Sequence, residues 1–324
     1  MLGPEDRYIS LLTDFGFKRI FGTLVNKELL ISFLNSLFDG REVVKDLMYM
    51  NTEDVGDVYT DRRAIFDVYC ENEKGEKFIV EMQNAYQKYL KDRTLFYSTR
   101  PIREQAPKGA DWDFNLKAVY TIALLNHNMG EASFDETKQI HEVKLCDVDT
   151  KRVFYEKLTF IYVEIAKFAK AENELDSLYD KWMYVLKNLS ILSRRPKALQ
   201  EKIFTHLFEQ AEIAKFTPSE LREYETSMKS YRDLKNSLDT KWEEGMEEGI
   251  EIGMKKGIEK GMKKGREEGI AIGIEKGREE GKAEGEAEAN LRIAKNMLAD
   301  GFPTEVIMKY SHLSKEEVEK LRAE

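Results

Sequence analysis

The spacing of apolar residues changes twice along this 324-residue chain, and each change predicts a different kind of element. Near the start, Phe17, Ile20, Phe21 and Leu24 recur at helical spacing, as do Leu29, Leu30, Phe33, Leu34 and Leu37. That period predicts two helices, with Gly40 as a stop for the second. From Val43 to Gln83 the period moves towards two. VVKDLMYMN, AIFDVYC and KFIVEMQ are predicted strands, and ENEKGE between the last two carries turn residues. QKYLKDRTLFYSTRPIREQ returns to helix, and NLKAVYTIALLN, IHEVKLCDV and KLTFIYVEI follow as strands.

After Phe168 the alternation fades. LDSLYDKWMYVLKNLSIL, LQEKIFTHLFEQAEIAKF and SELREYETSMKSYRDLKNSL all read as helices, with Pro218 opening the last. Helices, then strands with one helix among them, then helices alone predict an α/β (α+β) core with a helical tail. The expected divisions are a core over 1–170, a helical extension over 171–240, a glycine-repeat helix or spacer over 241–289, and a small helical module over 290–324.

The repeat places glycine at every fourth residue from Gly245 to Gly285, among Glu, Lys, Met and Ile. On a helix, four residues advance the stripe by about 40° beyond a full turn, so it winds and suits a right-handed crossing. Eleven glycines cost roughly 0.8–1 kcal/mol each relative to alanine, so this helix is marginal alone in water. Met246, Ile250, Met254, Ile258, Met262, Ile270 and Ile274 run beside the glycines. Two readings stay open here: an oligomerising helix whose backbones meet at glycine, and a partly disordered spacer. Beyond it, NLRIAKNMLADGFPTEVIMKYSHLSKEEVEKL predicts three short helices, with Ser314 and Glu317 as a capping box. The size resembles a helix-turn-helix. KEEVEKL is too acidic for a base-reading helix, which favours a packing or interaction module.

A formal charge of −9 argues against general nucleic-acid binding but leaves room for a locally basic groove. Cys70 and Cys146 lie in strand-like stretches without metal-binding spacing and are expected to be buried free thiols. The four scattered histidines give no zinc pattern. No secretory signal and no run of about 18 apolar residues is visible, which predicts a cytoplasmic protein with no membrane partner.

The chemistry concentrates in one predicted hairpin. If AIFDVYC and KFIVEMQ pair about Lys74, Asp67 lies opposite Glu81, and Gln83 shares Glu81's face. Phe66, Val68, Phe78, Val80 and Met82 are expected on the other face, whose burial fixes the register. Facing carboxylates repel. A bound hard cation such as Mg²⁺ resolves that repulsion, and so does an open, solvated sheet face.

An aspartate ending one strand, a short hairpin, then hydrophobic-Glu-x-Gln resembles the PD-(D/E)xK nuclease superfamily in its E-x-Q form. More narrowly, the chain resembles the PD-(D/E)xK family transposases, which include recombination-promoting nucleases. The pieces, in order, are TDFGFKRIFG with NKELLISFLNSLF, FDVYCENEKGEKFIVEMQ, RTLFYSTRPIREQ, KAVYTIALLN, and LTFIYVEIAKF before KWMYVLKN. The resemblance implies a restriction-endonuclease-like core, a mixed central sheet flanked by helices, and Mg²⁺-dependent cleavage of DNA phosphodiesters, with Mn²⁺ as a substitute. Asp67 and Glu81 would hold the metal and Gln83 would stand at the superfamily's lysine position, completing the catalytic set. Phe66 replaces the superfamily's proline. An amide carries no positive charge, so the metal, Lys77 or Lys91 would have to supply it.

Asp14 and Lys18 match the family signature one helical turn apart. Asp14 is a possible third acidic residue, or else caps the helix and pairs with Lys18. Lys18 and Arg93 are expected to contact substrate. Tyr97, four residues after Arg93, is expected in the core, and Glu164 with Lys167 as a structural pair. The competing function is a degenerate nuclease that still binds DNA, or an assembly protein that forms a homo-oligomer through its C-terminal helical region.

Overall fold

A computed structural model describes residues 7–38, 44–52, 66–106, 113–130 and 134–323. The expected stop at Gly40 lies outside them. The described residues fall into two compact units, 1–240 and 241–324.

In the first unit, α1 (Asp14–Phe21) and α2 (Lys27–Leu37) precede the sheet. β1 (Leu47–Tyr49), β2 (Val68–Asn72) and β3 (Lys77–Gln83) come next, then α3 (Leu90–Arg103) and β4 (Val119–Leu125). β5 (Ile140–Cys146) and β6 (Val153–Glu164) complete the sheet, followed by α4 (Leu178–Asn188) and α5 (Lys202–Gln210). The six strands lie in the order β1-β2-β3-β4-β6-β5. β3, β4 and β6 run parallel through the centre, and β1, β2 and β5 are antiparallel to their neighbours. This is the mixed, helix-flanked sheet that the family resemblance implies, and an α/β core as the residue pattern predicts.

Alternation divides the sheet between two cores. Val68, Cys70, Phe78, Val80, Ile122, Leu124, Ile161 and Val163 point to one face and bury against α1, α2, α4 and α5. Phe33, Trp182, Phe204 and Leu207 belong to that same core, so α4 and α5 complete it. On the other face Val119, Ala123, Leu125, Phe160 and Tyr162 pack with Leu90 of α3. Phe66 joins Tyr69 and Ile79 there, with Tyr97 of α3 against it. That corrects the expected placement of Phe66 with Val68 and Phe78. The chain bends at Asp67, before β2 begins, so the period of two does not reach back to Phe66.

Two glycines have steric reasons. Gly75, at φ +82°, turns the β2–β3 connection, where Asn72 Oδ1 accepts from the backbone N–H of Lys74 and of Glu76. A Cβ on Gly16 would stand 2.1 Å from the Ser10 carbonyl oxygen, so α1 packs this closely only with glycine there.

Cys70 is buried, as expected, but Cys146 is exposed. It ends edge strand β5, whose last two residues are exposed.

Helix α6 (Pro218–Ala299) starts with a reciprocal Thr217–Glu220 cap. Its first turns dock on the core of the first unit. The buried Tyr224 hydroxyl accepts from Ser10 N–H, Ser227 Oγ accepts from Phe15 N–H, and Glu220 pairs with Arg19. In the second unit the repeat is helical, and a Cβ at any glycine from Gly245 to Gly285 would meet nothing within 4 Å. α7 (Thr304–Ser311) and α8 (Lys315–Ala323) close on the end of α6 through Ala294, Ile307 and Val318. Ser314 and Glu317 form the expected capping box. Among the described residues, no helix is long and apolar enough to cross a membrane.

Candidate active site

The β2–β3 ladder pairs Val68 with Val80 and Cys70 with Phe78, so the hairpin is centred on Lys74. Extending it one step brings Asp67 to Glu81. The Asp67 N–H donates to Glu81 Oε1 at 3.2 Å, and the Met82 N–H donates to Asp67 Oδ2 at 2.8 Å. The bend at Asp67 thus turns its carboxylate onto the backbone of β3 at Met82. Glu81 and Gln83 are buried, with Gln83 Nε2 3.5 Å from Glu81 Oε2.

Burial dominates the electrostatics. It raises the Asp67 carboxyl, against the Met82 hydrogen bond and the charge of Lys18. It pushes Glu81 up to about 8, and the neighbouring Asp67 charge adds to the rise. Two acids this close to a low-dielectric wall resist carrying two negative charges together.

The cations around the pair come from two helices. Arg93 of α3 places NH2 3.7 Å from Glu81 Oε2. Its Nε donates to the Tyr97 hydroxyl at 2.8 Å and its NH1 to Gln87 Oε1 at 2.9 Å, so the guanidinium is held from three sides. Tyr97 itself is half-buried and packs on Phe66. On α1, Lys18 lies 2.7 Å from Asp14. Burial alone would lower the Lys18 ammonium, but the Asp14 hydrogen bond and then the charges of Asp14, Asp67 and Glu81 raise it. Asp14 in turn raises Asp67, so all five ionisable groups share one field. The cap of α1 is Thr13, whose side chain accepts from Gly16 N–H, rather than Asp14.

Lys77 does not reach the pair. It sits at the opposite end of β3, directly across from Glu71, and forms an ion pair with it. Glu164 and Lys167 are bonded at 2.5 Å, and Glu164 also accepts from Met129 N–H at 2.6 Å and meets His141 Nε2 at 3.1 Å. This buried knot ties the segment after β4 to the end of β6.

Three positioning residues carry no signal in the hairpin pattern. Asn84, directly after Gln83, donates through Nδ2 to the Leu12 carbonyl at 2.6 Å. Asn126 Nδ2 lies 3.5 Å from Asn84 Oδ1 and 3.3 Å from the Tyr231 hydroxyl of α6. Gln87 is the third. Asn84 was open to inference from its place beside Gln83, whereas Gln87 depends on where α3 begins.

The donor set suits a hard divalent cation. Two carboxylates, each with a raised proton affinity, lie side by side. Among the described residues no group of three His, Cys, Asp or Glu side chains is arranged to hold a metal. Water and phosphate oxygens would therefore complete the shell.

The family model of PD-(D/E)XK nuclease family transposases matches residues 11–241, well over half of the chain. A second family model, of the Rpn/YhgA-like nuclease family C-terminal HTH domain, matches residues 287–323. Comparison with curated proteins and with solved structures finds no match.

Proposed function

The chain belongs to the PD-(D/E)XK nuclease family transposases, and from that premise we propose that it is a Mg²⁺-dependent DNA endonuclease that hydrolyses phosphodiester bonds. The observation that carries the reading is the Asp67–Glu81 pair, with half-buried Asp67 hydrogen-bonded to buried Glu81 near the end of β3 and Gln83 beside it.

Asp67 and Glu81 would hold the cation. When bound, it would lower the pKa of a water and offset charge on the phosphate under attack. Gln83 would orient that water through its amide. Arg93, braced by Tyr97 and Gln87, would meet a phosphate oxygen with a guanidinium that loses little freedom on binding. Lys18 would supply the positive charge that glutamine lacks at the lysine position, a role that Lys77 is too far along β3 to fill. Asp14 would hold Lys18 in place.

The HTH match at residues 287–323 supports a second DNA contact in the C-terminal unit. The acidic start of α8, with Glu316 and Glu317, favours a protein partner over DNA for that helix, so a DNA contact in this unit would fall to its other residues. The open glycine stripe and the exposed Met and Ile residues beside it favour a homo-oligomer formed through this region.

The test is conversion of supercoiled plasmid to nicked and linear forms. The reading requires cleavage with Mg²⁺ or Mn²⁺ and none with chelator. A clean, folded protein that leaves plasmid intact under both conditions would transfer the assignment to a DNA-binding or assembly role.

A further inference from the structure

The segment that leaves β3 carries aromatic rings that the fold does not cover. Tyr86 and Tyr89 are 60% and 64% exposed, and Phe96, two turns along α3 from Tyr89, is 51% exposed. Tyr89 is the N-cap of α3, and Phe96 lies on that same helix. Nothing in the cores explains these rings.

Their surroundings are fixed. Asn84 anchors the start of the segment on Leu12. Gln87, between the two tyrosines, accepts from Arg93, which also faces Glu81. The Tyr86 ring meets the His127 ring edge-on at 5.9 Å, at the end of β4. His127 Nε2 is buried and has no hydrogen-bond partner among the described residues, so that contact is one of rings rather than of polar atoms. The tyrosines therefore flank Gln87, which is linked through Arg93 to Glu81 of the carboxylate pair. Lysines interleave with them: Lys88 Nζ lies 5.5 Å over the Tyr89 ring, and Lys91 is exposed on the next turn.

Exposed aromatics alternating with lysines form a platform for bases together with charges for the backbone. Any base offers a π-face, so such stacking is tolerant of sequence. A base inside a duplex is already stacked and must be extruded before it can use the platform. A chain of net charge −9 also gains from a contact that does not depend on phosphate attraction alone.

We propose that Tyr86, Tyr89 and Phe96 stack unpaired bases of the DNA strand entering the Asp67–Glu81 site, so that the protein prefers unpaired to duplex DNA. This rests on the nuclease reading and names its substrate form.

The test is fluorescence anisotropy of the full chain in Ca²⁺ with a fluorescein-labelled single-stranded DNA oligonucleotide and its duplex. A 2-aminopurine in the single strand reports stacking directly. The wild type is expected to bind the single strand more tightly than the duplex and to quench the 2-aminopurine. Tyr86→Ala/Tyr89→Ala is expected to weaken single-strand binding by about fivefold or more per ring and to lose the quench, with duplex binding kept. Tyr86→Phe/Tyr89→Phe, which keeps the rings, is expected to behave as wild type. Equal binding of both DNA forms, or an alanine pair that binds and quenches as wild type, overturns the platform while plasmid cleavage leaves the nuclease reading standing. A wild type that neither binds DNA of either form nor cleaves plasmid overturns both.

Discussion

Asp67, at the bend before β2, and Glu81 on β3 hold each other in place: the backbone N–H of Asp67 donates to the Glu81 carboxylate, while the Asp67 carboxylate accepts from Met82, the next residue after Glu81. Each acid is positioned by the other's segment, so the pair exists only if the hairpin register is right. The same closeness makes the pair electrostatically costly without a cation.

Neutralising one acid should therefore stabilise the metal-free protein while removing activity. Glu81→Gln is close to isosteric and retains an oxygen to accept from Asp67. Thermal unfolding in chelator at pH 8 should show a gain of about 1–3 kcal/mol, since each pKa unit of strain is worth about 1.4 kcal/mol. Plasmid cleavage by the same variant should vanish.

The pH dependence follows from the sign of the shift. Burial and the Asp67 charge push Glu81 from an ordinary 4.5 in the unfolded chain up to about 8 in the folded one. Between those values the folded chain binds the extra proton, so metal-free stability is greatest below the window and falls as pH rises through it. A cation competes with that proton. Saturating Mg²⁺ should thus raise Tm more at pH 8 than at about pH 5. Equal shifts at both values would place the metal elsewhere.

Glu164 should behave in the opposite way. Burial alone would raise it, but Lys167, the Met129 N–H and His141 together lower it. Its contribution to stability is full above its unfolded value and is lost as pH falls through the lower folded one. Glu164→Ala removes one partner of a buried pair and should cost about 3–5 kcal/mol in denaturant unfolding. The fraction that remains folded should cut plasmid at the wild-type rate per molecule.

Gly257→Ala, Gly261→Ala and Gly265→Ala together separate helix strength from contact. Each added Cβ meets open space within the chain, so helicity by circular dichroism should rise, by about 0.8–1 kcal/mol of helix stability per site. Light scattering should meanwhile show loss of the homo-oligomer, because the same Cβ atoms would stand between two closely packed backbones. An oligomer that survives all three changes would place the interface elsewhere.

The hairpin was legible because two independent signals agree: the Asn72–Gly75 turn and the apolar alternation both centre on Lys74. Phe66 was misplaced because alternation says nothing of the bend at Asp67. Lys77 was a candidate cation only until its register partner was counted, and Glu71 lies straight across. Cys146 was misread because an apolar run does not reveal that its strand lies at the sheet edge. The repeat was the least legible region, since helix propensity and glycine entropy nearly cancel there. The brace on Arg93 from Gln87 needs three-dimensional contact that no local period encodes.

The central claim is that Asp67 and Glu81 carry out the cleavage. It is tested by incubating supercoiled plasmid and Mg²⁺ with wild type, Asp67→Ala and Glu81→Ala, each purified identically and shown to be folded. The account predicts nicking and linearisation by wild type and none by either variant. Cleavage that persists undiminished in both variants would contradict it and put the active site outside the hairpin.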